Sequence, residues 1–318
     1  NFYNYKLKFI VMKNFIIYLF SFLLLFSFKY SFSQANLLNA KVPQEIGIPN
    51  EQQLEADDET PIAYGFVEDR DVMWSKTIWE KIDLDERINF PYYYPTVANG
   101  MLSENRKSLW RIIIDGIKSG EIKEIYNDDY FTEKITLVEL GDRLVSRDIS
   151  EDARERLNAG EITEDFLVED DYDTNLMESD DIEQYFVKGT WYFNKRLGEL
   201  KYRLLAIAPV AADISTFSDK TAKADPENFN PLFWVWYPDA RKVLNENKVF
   251  NIKNSSQPVS FDHMLNSRRF NATIYKEENV YEDREVKDYM YEDALRQLLE
   301  SERIKSVIRD FEQDQWNN

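Results

Sequence analysis

The sequence predicts an α+β fold, with a mainly antiparallel sheet, flanking helices, a C-terminal helix and a single globular core. Three observations predict it. Some short segments alternate or run apolar as strands do, whereas others repeat apolar residues every three or four positions as helices do. The two kinds are interspersed without the regular alternation of a parallel α/β sheet. The composition, 43% hydrophobic and 15% aromatic, supplies enough apolar side chains for a packed core.

The first 33 residues are predicted to be a targeting segment outside the fold. Met12–Asn14 precedes a mostly apolar run over 15–28, shorter than the about 20 apolar residues that span a bilayer. Small residues follow, so the pattern is that of a secretory signal peptide cleaved between Ser33 and Gln34. Residues 1–11 are interpreted as an upstream extension of the reading frame. We therefore expect the mature protein outside the cytoplasm.

The rest of the chain is predicted to form an arm and one domain. Residues 34–62 are polar, contain three prolines and carry the acidic stretch 55–59. This composition predicts an extended arm with little structure of its own. The globular domain is predicted over 63–318. Within it we expect an acidic loop over 161–183 and a C-terminal helix over 284–313.

Charge and cysteine content limit the function classes. With 58 acidic and 39 basic residues the net charge is −19, which disfavours contact with nucleic acid or an anionic membrane because both need a basic surface. The absence of cysteine excludes disulfides, thiolate metal sites and a cysteine nucleophile. It also leaves no cysteine to carry a lipid behind the signal peptide. We therefore expect no direct membrane insertion after cleavage; if the protein sits at a membrane, a partner must hold it there.

The first helix of the domain is predicted to start after Ser103, which we expect to cap it. Apolar residues follow at helical spacing, and Gly120 ends the pattern. Residues 122–126 are predicted as a short strand.

The segment 161–183 holds eleven acids and no Lys or Arg. Mutual repulsion of these acids predicts a mobile surface loop. A calcium-binding EF-hand does not fit, because its best register puts Leu176 where glycine is needed and Ile182 where a bidentate glutamate is needed.

A β-hairpin is predicted from two strands over 187–193 and 200–209, joined by a turn that contains Gly198. The second strand becomes apolar on both faces, which places it centrally in the sheet. A third strong strand is predicted over 232–237 and stopped by Pro238.

The last elements are a short helix over 260–270, a short strand over 272–275 and a long C-terminal helix. The long helix is predicted because apolar residues recur at intervals of three and four, at Leu295, Leu298, Leu299, Ile304, Val307, Ile308 and Phe311.

Several kinds of catalytic or ligand site are excluded. The single histidine, His263, cannot form a multi-histidine metal centre, and no G-x-S-x-G elbow accompanies it. The glycines do not fall at the spacings of a phosphate-binding loop. These absences weigh against an enzyme, and we predict no metal and no cofactor. The many acids leave open one alternative, an exported carboxylate-based hydrolase, because a sequence gives no distances between carboxylates.

Two aromatic clusters, over 91–95 and 233–237, have two interpretations. Trp and Tyr anchor contact surfaces, so a glycan-binding protein of the periplasm is a further alternative. The other interpretation is plain core. Residues 233–237 are apolar on both faces of a strand, which favours core for most of them.

Eight sequence blocks are more specific than any short motif. They are Trp79–Leu84, Arg87–Pro91, Trp191–Phe193, Ile207–Pro209, Pro231–Arg241, Ser260–Asp262, Lys276–Arg284 and Asp288–Tyr289. These blocks, in a region from about residue 63 to residue 289, resemble the GldN family of gliding motility proteins, whose counterpart in non-gliding secretors is PorN.

The resemblance implies a non-enzymatic component of the type IX secretion system, needed for protein secretion and gliding motility. It implies a periplasmic protein that assembles with an outer-membrane lipoprotein of the GldK or PorK type into a ring beneath the outer membrane. It also implies contact with the periplasmic part of a GldM- or PorM-type motor protein. The family has no established catalytic residues, so none is transferred to this chain.

A ring requires a heterologous contact, in which one patch meets a different patch on the next copy. Interface residues are expected to be exposed and rich in aromatics and arginine. The candidates are Trp234, Trp236 and Tyr237 where they face outward, together with Arg268 and Arg269. We hypothesise that the two arginines meet the acidic loop of a neighbouring copy.

Overall fold

The computed structural model describes most of the predicted domain, within a compact unit that spans Glu59–Asn318. The predicted signal peptide, and the predicted arm up to residue 59, lie outside the described residues. The described ranges are 60–97, 106–160, 168–217, 220–249, 259–291 and 293–316.

Strands and helices are interspersed along the chain, and the fold is α+β as the sequence predicts. The strands are β1 Val72–Asp83, β2 Ile125–Tyr126, β3 Val145–Ile149, β4 Tyr172–Leu176, β5 Ile182–Asn194, β6 Glu199–Ala212, β7 Phe229–Pro231, β8 Trp234–Trp236, β9 Lys248–Val249, β10 Val259–Ser260 and β11 Thr273–Glu277. The helices are α1 Phe90–Tyr93, α2 Leu109–Lys118, α3 Leu137–Leu144, α4 Glu151–Asn158, α5 Lys220–Lys223, α6 Tyr237–Glu246, α7 Phe261–Asn266, α8 Val286–Tyr289 and α9 Ala294–Trp316.

The main sheet has seven antiparallel strands in the order β11-β1-β5-β6-β8-β2, and β7 also pairs with β6. Its centre is the predicted hairpin, because β5 and β6 pair along nearly their whole length. Gly198 in the connecting turn has φ of +67°, a conformation that favours glycine. The hairpin prediction is therefore confirmed. Two smaller sheets consist of β3 with β4 and of β9 with β10.

The structure differs from the sequence prediction at the start of α2. Ser108 caps this helix, because its side chain accepts a hydrogen bond from the backbone N–H of Arg111. The predicted cap, Ser103, lies outside the described residues. The predicted end is confirmed, since the chain turns at Gly120 with φ of +75°.

The strand predicted over 232–237 is shorter than expected. Only Trp234–Trp236 pairs as β8, and Tyr237 already begins α6. Pro238 lies in the first turn of that helix, where its missing N–H removes no intrahelical hydrogen bond. The proline therefore marks the start of a helix as well as the end of a strand.

The acidic segment is more ordered than a loop. Residues 172–176 form β4, paired with β3 in continuous register, and β5 already starts at Ile182. Arg156 forms an ion pair with Asp171, directly before β4, which offsets part of the repulsion among the acids. The loop prediction is thus wrong over β4 and the start of β5, whereas residues 161–167 lie outside the described residues.

One side of the main sheet, which we term the helix-covered face, packs against α2, α6 and α7. Side chains alternate between the two sides of a strand, and on this side Ile82, Leu204 and Ile207 are buried in the largest apolar cluster. Tyr202 of β6 lies across β5 on the same side. A Cβ atom on Gly189 would approach its Oη to 2.1 Å, so only glycine fits at that point of β5.

The C-terminal helix extends the helix-covered face at the β1–β11 end. Ile304 and Ile308 of α9 are buried in a cluster with residues of β1 and β11, and Phe311 stacks on Trp74 with ring centroids 4.6 Å apart. The predicted helix is confirmed, although it starts at Ala294 and is preceded by the separate α8. The leucines at its start are exposed, contrary to the apolar repeat: Leu295, Leu298 and Leu299.

The opposite side of the sheet, which we term the loop-covered face, carries an apolar cluster of its own. Trp79, Phe186 and Trp234 are buried there beside small residues of β6, and Phe131 from the turn after β2 packs over them. None of the residues in this cluster lies on a helix.

In the part of the chain that the structure describes, no helix has the length and hydropathy needed to cross a membrane.

Candidate functional site

The aromatic residues predicted as outward-facing interface candidates are mostly core. Trp234 is 3% exposed and Tyr237 is fully buried. Trp236 is half-buried, with its ring edge-on to Phe131 at a centroid distance of 4.9 Å. Trp234 and Tyr237 are therefore corrected to core positions, because β8 lies inside the sheet and α6 packs on the helix-covered face. A sugar-stacking platform needs exposed rings and is not supported at residues 233–237, whereas Tyr94 of the other aromatic cluster is 54% exposed.

Tyr237 belongs to a buried polar network on the helix-covered face. Its hydroxyl donates to Asp262 Oδ1 at 2.9 Å, and burial, followed by the nearby carboxylate, raises its pKa. Arg241 pairs with the same carboxylate through Nε and Nη2, both at 2.9 Å. Arg241 also donates to the carbonyl of Ile62 and lies over the ring of Tyr64. The network thus attaches the chain before β1 to α6 and α7.

The two predicted interface arginines have different environments. Arg268 donates to both oxygens of Glu80, at 2.7 and 2.8 Å, and Glu80 is 1% exposed. The guanidinium also lies 4.2 Å from the ring centroid of Tyr202. Arg268 is therefore committed to an internal ion pair, which contradicts its assignment to a neighbour's acidic loop. Arg269 is exposed, and its part in a contact stays a prediction.

The structure shows a candidate site that the sequence did not predict, a cavity of about 510 Å³ on the loop-covered face. We term it the lysine-lined cavity. Its aromatic wall includes Phe186, Phe229, Trp234 and Tyr275. Its charged lining residues are Lys81, Lys276, Lys287, Asp129, Glu227 and Glu285. A cavity with an apolar wall and a few polar groups is the usual form of a binding site.

Two lysines beside the cavity are held by one aspartate and by aromatic rings. Lys276 Nζ lies 2.8 Å from Asp129 Oδ2 and 4.4 Å from the ring centroid of Trp79. Lys188, 8% exposed, donates to the carbonyl of Asp129 at 2.7 Å and lies 4.6 Å from the same ring. Burial lowers the pKa of Lys188. For Lys276 burial opposes the charge, but the hydrogen bonds of its ammonium with Asp129 and Tyr130 outweigh burial and raise the pKa.

Lys81 differs from its neighbours because its ammonium contacts aromatic rings and, within the described residues, no carboxylate. Its Nζ lies 5.2 Å from the ring centroid of Phe186 and 5.0 Å from that of Tyr275, distances at which a cation is attracted to an aromatic face. Among the described residues it forms no ion pair. The nearby Glu285 is paired with Lys287 at 2.8 Å. Burial lowers the pKa of Lys81, and the field of Glu285 opposes this only in part.

The arrangement favours binding over acid–base catalysis. A hydrolase of the carboxylate type needs two facing acids in a cleft, one with a raised pKa. Burial and the carboxylates of Asp85 and Asp83 raise the pKa of Glu183, but Glu183 does not line the lysine-lined cavity. Within the described residues, no group of three or more imidazole or carboxylate side chains is placed to hold a metal ion.

Sequence reasoning missed the lysines of this site. The available signal was the alternation of Trp79 and Lys81 along β1, which places both on one side of a strand. Lys188 joins them only through the β1–β5 register, which puts it opposite Trp79. A single sequence does not specify that pairing. Nothing in it therefore indicates that Lys188 and Lys81 lie on the same face of one sheet.

The fold and the cavity together define an α+β protein with one sheet face covered by helices and one face that carries a lined cavity. The family model of the gliding motility associated protein GldN matches residues 67–317, so the chain belongs to the GldN family. GldN is the gliding motility protein of the type IX secretion system, and the family is a structural component of that system. The match includes α9, which the sequence blocks did not reach. No individual curated protein matches the chain.

Proposed function

We propose that this protein is a non-enzymatic periplasmic subunit of the type IX secretion ring. It assembles with an outer-membrane lipoprotein of the GldK or PorK type, which holds it at the inner face of the outer membrane. Other surfaces contact the next copy in the ring and the periplasmic part of a GldM- or PorM-type motor protein. Loss of the subunit would stop both protein secretion and gliding.

The observation that carries this proposal is the family match over residues 67–317. The positions of the family-like sequence blocks support it. Arg241 and Asp262, from two of these blocks, form a buried ion pair, and Glu80 from a third pairs internally with Arg268. Such positions maintain a scaffold, whereas the charged residues of an enzyme site converge on a cleft that admits substrate.

The test is co-purification from detergent-solubilised outer membrane with a C-terminal affinity tag, followed by mass spectrometry and electron microscopy. We expect a lipoprotein in comparable amount to the tagged chain, within a very large ring-shaped particle. The matched control is the same strain with the tag on an unrelated exported protein. Deletion of the gene should abolish secretion and gliding, and the tagged chain should restore both.

A different result would reject the proposal. Recovery of the tagged chain as a soluble protein without the lipoprotein, from cells that secrete normally when the gene is deleted, excludes a role in the ring. The hydrolase alternative would then be tested on cell-wall and polysaccharide substrates.

A further inference from the structure

Lys81 is an uncompensated cation in the wall of a cavity. The other lysines of the lysine-lined cavity have carboxylate partners, Lys276 with Asp129 and Lys287 with Glu285, each at 2.8 Å. Lys81 has only the faces of two rings among the described residues. A half-buried ammonium is most stable with an anion in reach, because burial removes the water that would otherwise solvate it. A carboxylate from a ligand would therefore stabilise the charge of Lys81, beside Glu227 and Glu285, which already line the cavity.

The ligand that fits must combine an anionic and an apolar group. The aromatic wall of the cavity provides apolar contact area beside Lys81. At about 510 Å³, the cavity holds a few side chains and not a folded domain. An exposed turn or strand that presents a carboxylate next to an apolar side chain meets both requirements.

The chain itself carries such a segment in β4 and the turn that follows it. Leu176 is 54% exposed and is flanked by exposed acids at Asp173, Glu178 and Asp180. These three acids form no ion pair within the described residues. The run from 157 to 187 contains no Lys or Arg. This acidic turn, residues 173–180, is opposite in charge to Lys81 and presents the exposed apolar side chain of Leu176.

We propose that the lysine-lined cavity of one copy receives the acidic turn of a second copy, with a carboxylate of that turn on Lys81 and Leu176 against the aromatic wall. The inference rests on the proposed function, since it supplies the heterologous contact that a ring requires. Two copies of so acidic a chain, whose full sequence carries a net charge of −19, repel one another at long range. A local contact between opposite charges gives their association a defined orientation.

Carbodiimide cross-linking tests this contact directly, because it joins a lysine to a carboxylate that touches it. Full-length mature protein labelled with heavy nitrogen is mixed with unlabelled protein at high concentration, treated and digested with trypsin. We expect a link between the peptide 77–87, through Lys81, and the peptide 157–188, which contains the acidic turn. The link should join heavy and light partners, which identifies it as intermolecular.

Self-association, measured by sedimentation, provides the second readout. Lys81→Gln should weaken association about tenfold, as should the combined change of Asp173→Asn, Glu178→Gln and Asp180→Asn. The matched control is Lys287→Gln, which alters a lysine of the same cavity that already has its carboxylate. It should change association by less than about twofold. Urea unfolding of each variant shows that the fold is retained.

The outcomes separate this inference from the proposed function. A link within one chain, a link from Lys81 to another segment, or no link at all would overturn the inference. Equal association of the Lys81→Gln and Lys287→Gln variants would do so as well. If the ring with the lipoprotein still forms in cells carrying Lys81→Gln, the cavity is not the ring contact, while the proposed function stands. Loss of any ring in the wild-type preparation would instead reject the proposed function.

Discussion

The two faces of the main sheet accommodate buried charge in different ways. On the helix-covered face, Arg241 and Arg268 each have a carboxylate of their own, contacted through two nitrogens. On the loop-covered face, Lys188 and Lys276 both contact Asp129, while Lys81 relies on aromatic rings. Within the described residues, the two arginines of the first face each have a carboxylate, whereas Lys81 of the second face forms no ion pair.

This difference separates structure from recognition. Bidentate pairs of arginine with carboxylate are geometrically specific and suit a closed interior. A lysine over aromatic rings keeps a charge that a partner can still neutralise. The helix-covered face therefore holds the scaffold together, and the loop-covered face is the side on which we place a contact.

Trp234→Ala is expected to have the largest effect, and it tests whether the loop-covered face is a true core. Trp234 is 3% exposed, and truncating a buried tryptophan typically lowers the free energy of unfolding by about 3–5 kcal/mol. The measurement is urea denaturation followed by circular dichroism. Trp236→Ala, at a half-buried position, is the control and should cost less. A loss below about 1 kcal/mol for Trp234→Ala would show that this face contributes little to stability.

Asp262→Asn addresses the helix-covered face. It should lower the free energy of unfolding by about 3 kcal/mol, because Arg241 would remain buried without its carboxylate. The control is Asp293→Asn. The ion pair of Asp293 with Arg296 is exposed, so this change should lower the free energy of unfolding by less than about 0.5 kcal/mol. Equal effects of the two changes in urea denaturation would contradict the description of this face as a charge-paired interior.

Arg268→Lys separates an internal role for this residue from an interface role. A lysine cannot make both hydrogen bonds to Glu80. We therefore expect the free energy of unfolding of the isolated chain to fall by about 2 kcal/mol. Arg269→Lys at the exposed neighbouring position should change stability by less than about 0.5 kcal/mol. If Arg268→Lys left unfolding unchanged but weakened association between copies, the interface assignment would be restored.

Lys188→Met is expected to have the smallest effect at neutral pH, about 1 kcal/mol or less. The change removes a hydrogen bond to Asp129, but it also removes the cost of burying an ammonium. The pH dependence is more informative. Burial lowers the pKa of Lys188 in the folded state, so the unfolded state binds more protons between that pKa and about 10.4, the ordinary value.

Wild-type stability should therefore rise relative to Lys188→Met as the pH increases through this window. Below it, the difference between the two proteins should be constant. Urea denaturation at a series of pH values from neutral to about 10.5 measures the difference. A difference that does not change with pH would mean that the charge of Lys188 is as well solvated in the folded as in the unfolded state.

Much of the fold could be predicted from local signals. The β5–β6 hairpin follows from two apolar strands around Gly198, and the positive φ of that glycine explains why the turn forms there. The C-terminal helix follows from its apolar repeat. The acidic segment was misjudged because charge repulsion is a local argument. Pairing of β4 with β3 satisfies the backbone hydrogen bonds of this segment, and no local pattern in the sequence identifies β3 as the partner.

The candidate site was less predictable than the fold. Tryptophan, tyrosine and arginine are typical of interfaces, yet Trp234, Tyr237 and Arg268 are used inside this protein. The same residue types that anchor partners also fill cores and satisfy buried carboxylates. Sequence alone does not distinguish these uses, because burial depends on which elements pack together.

The sequence by itself determined the fold class, the hairpin, the long C-terminal helix and the resemblance to a family that the match over 67–317 then established. These properties depend on local periodicity, turn chemistry and extended blocks of residues, all of which a single chain displays. Tertiary structure alone decided which face is covered by helices, that Arg268 is committed to Glu80, and that Lys81 forms no ion pair within the described residues. Those features depend on the register between strands distant in sequence, and a shift of one residue would send every side chain to the other face.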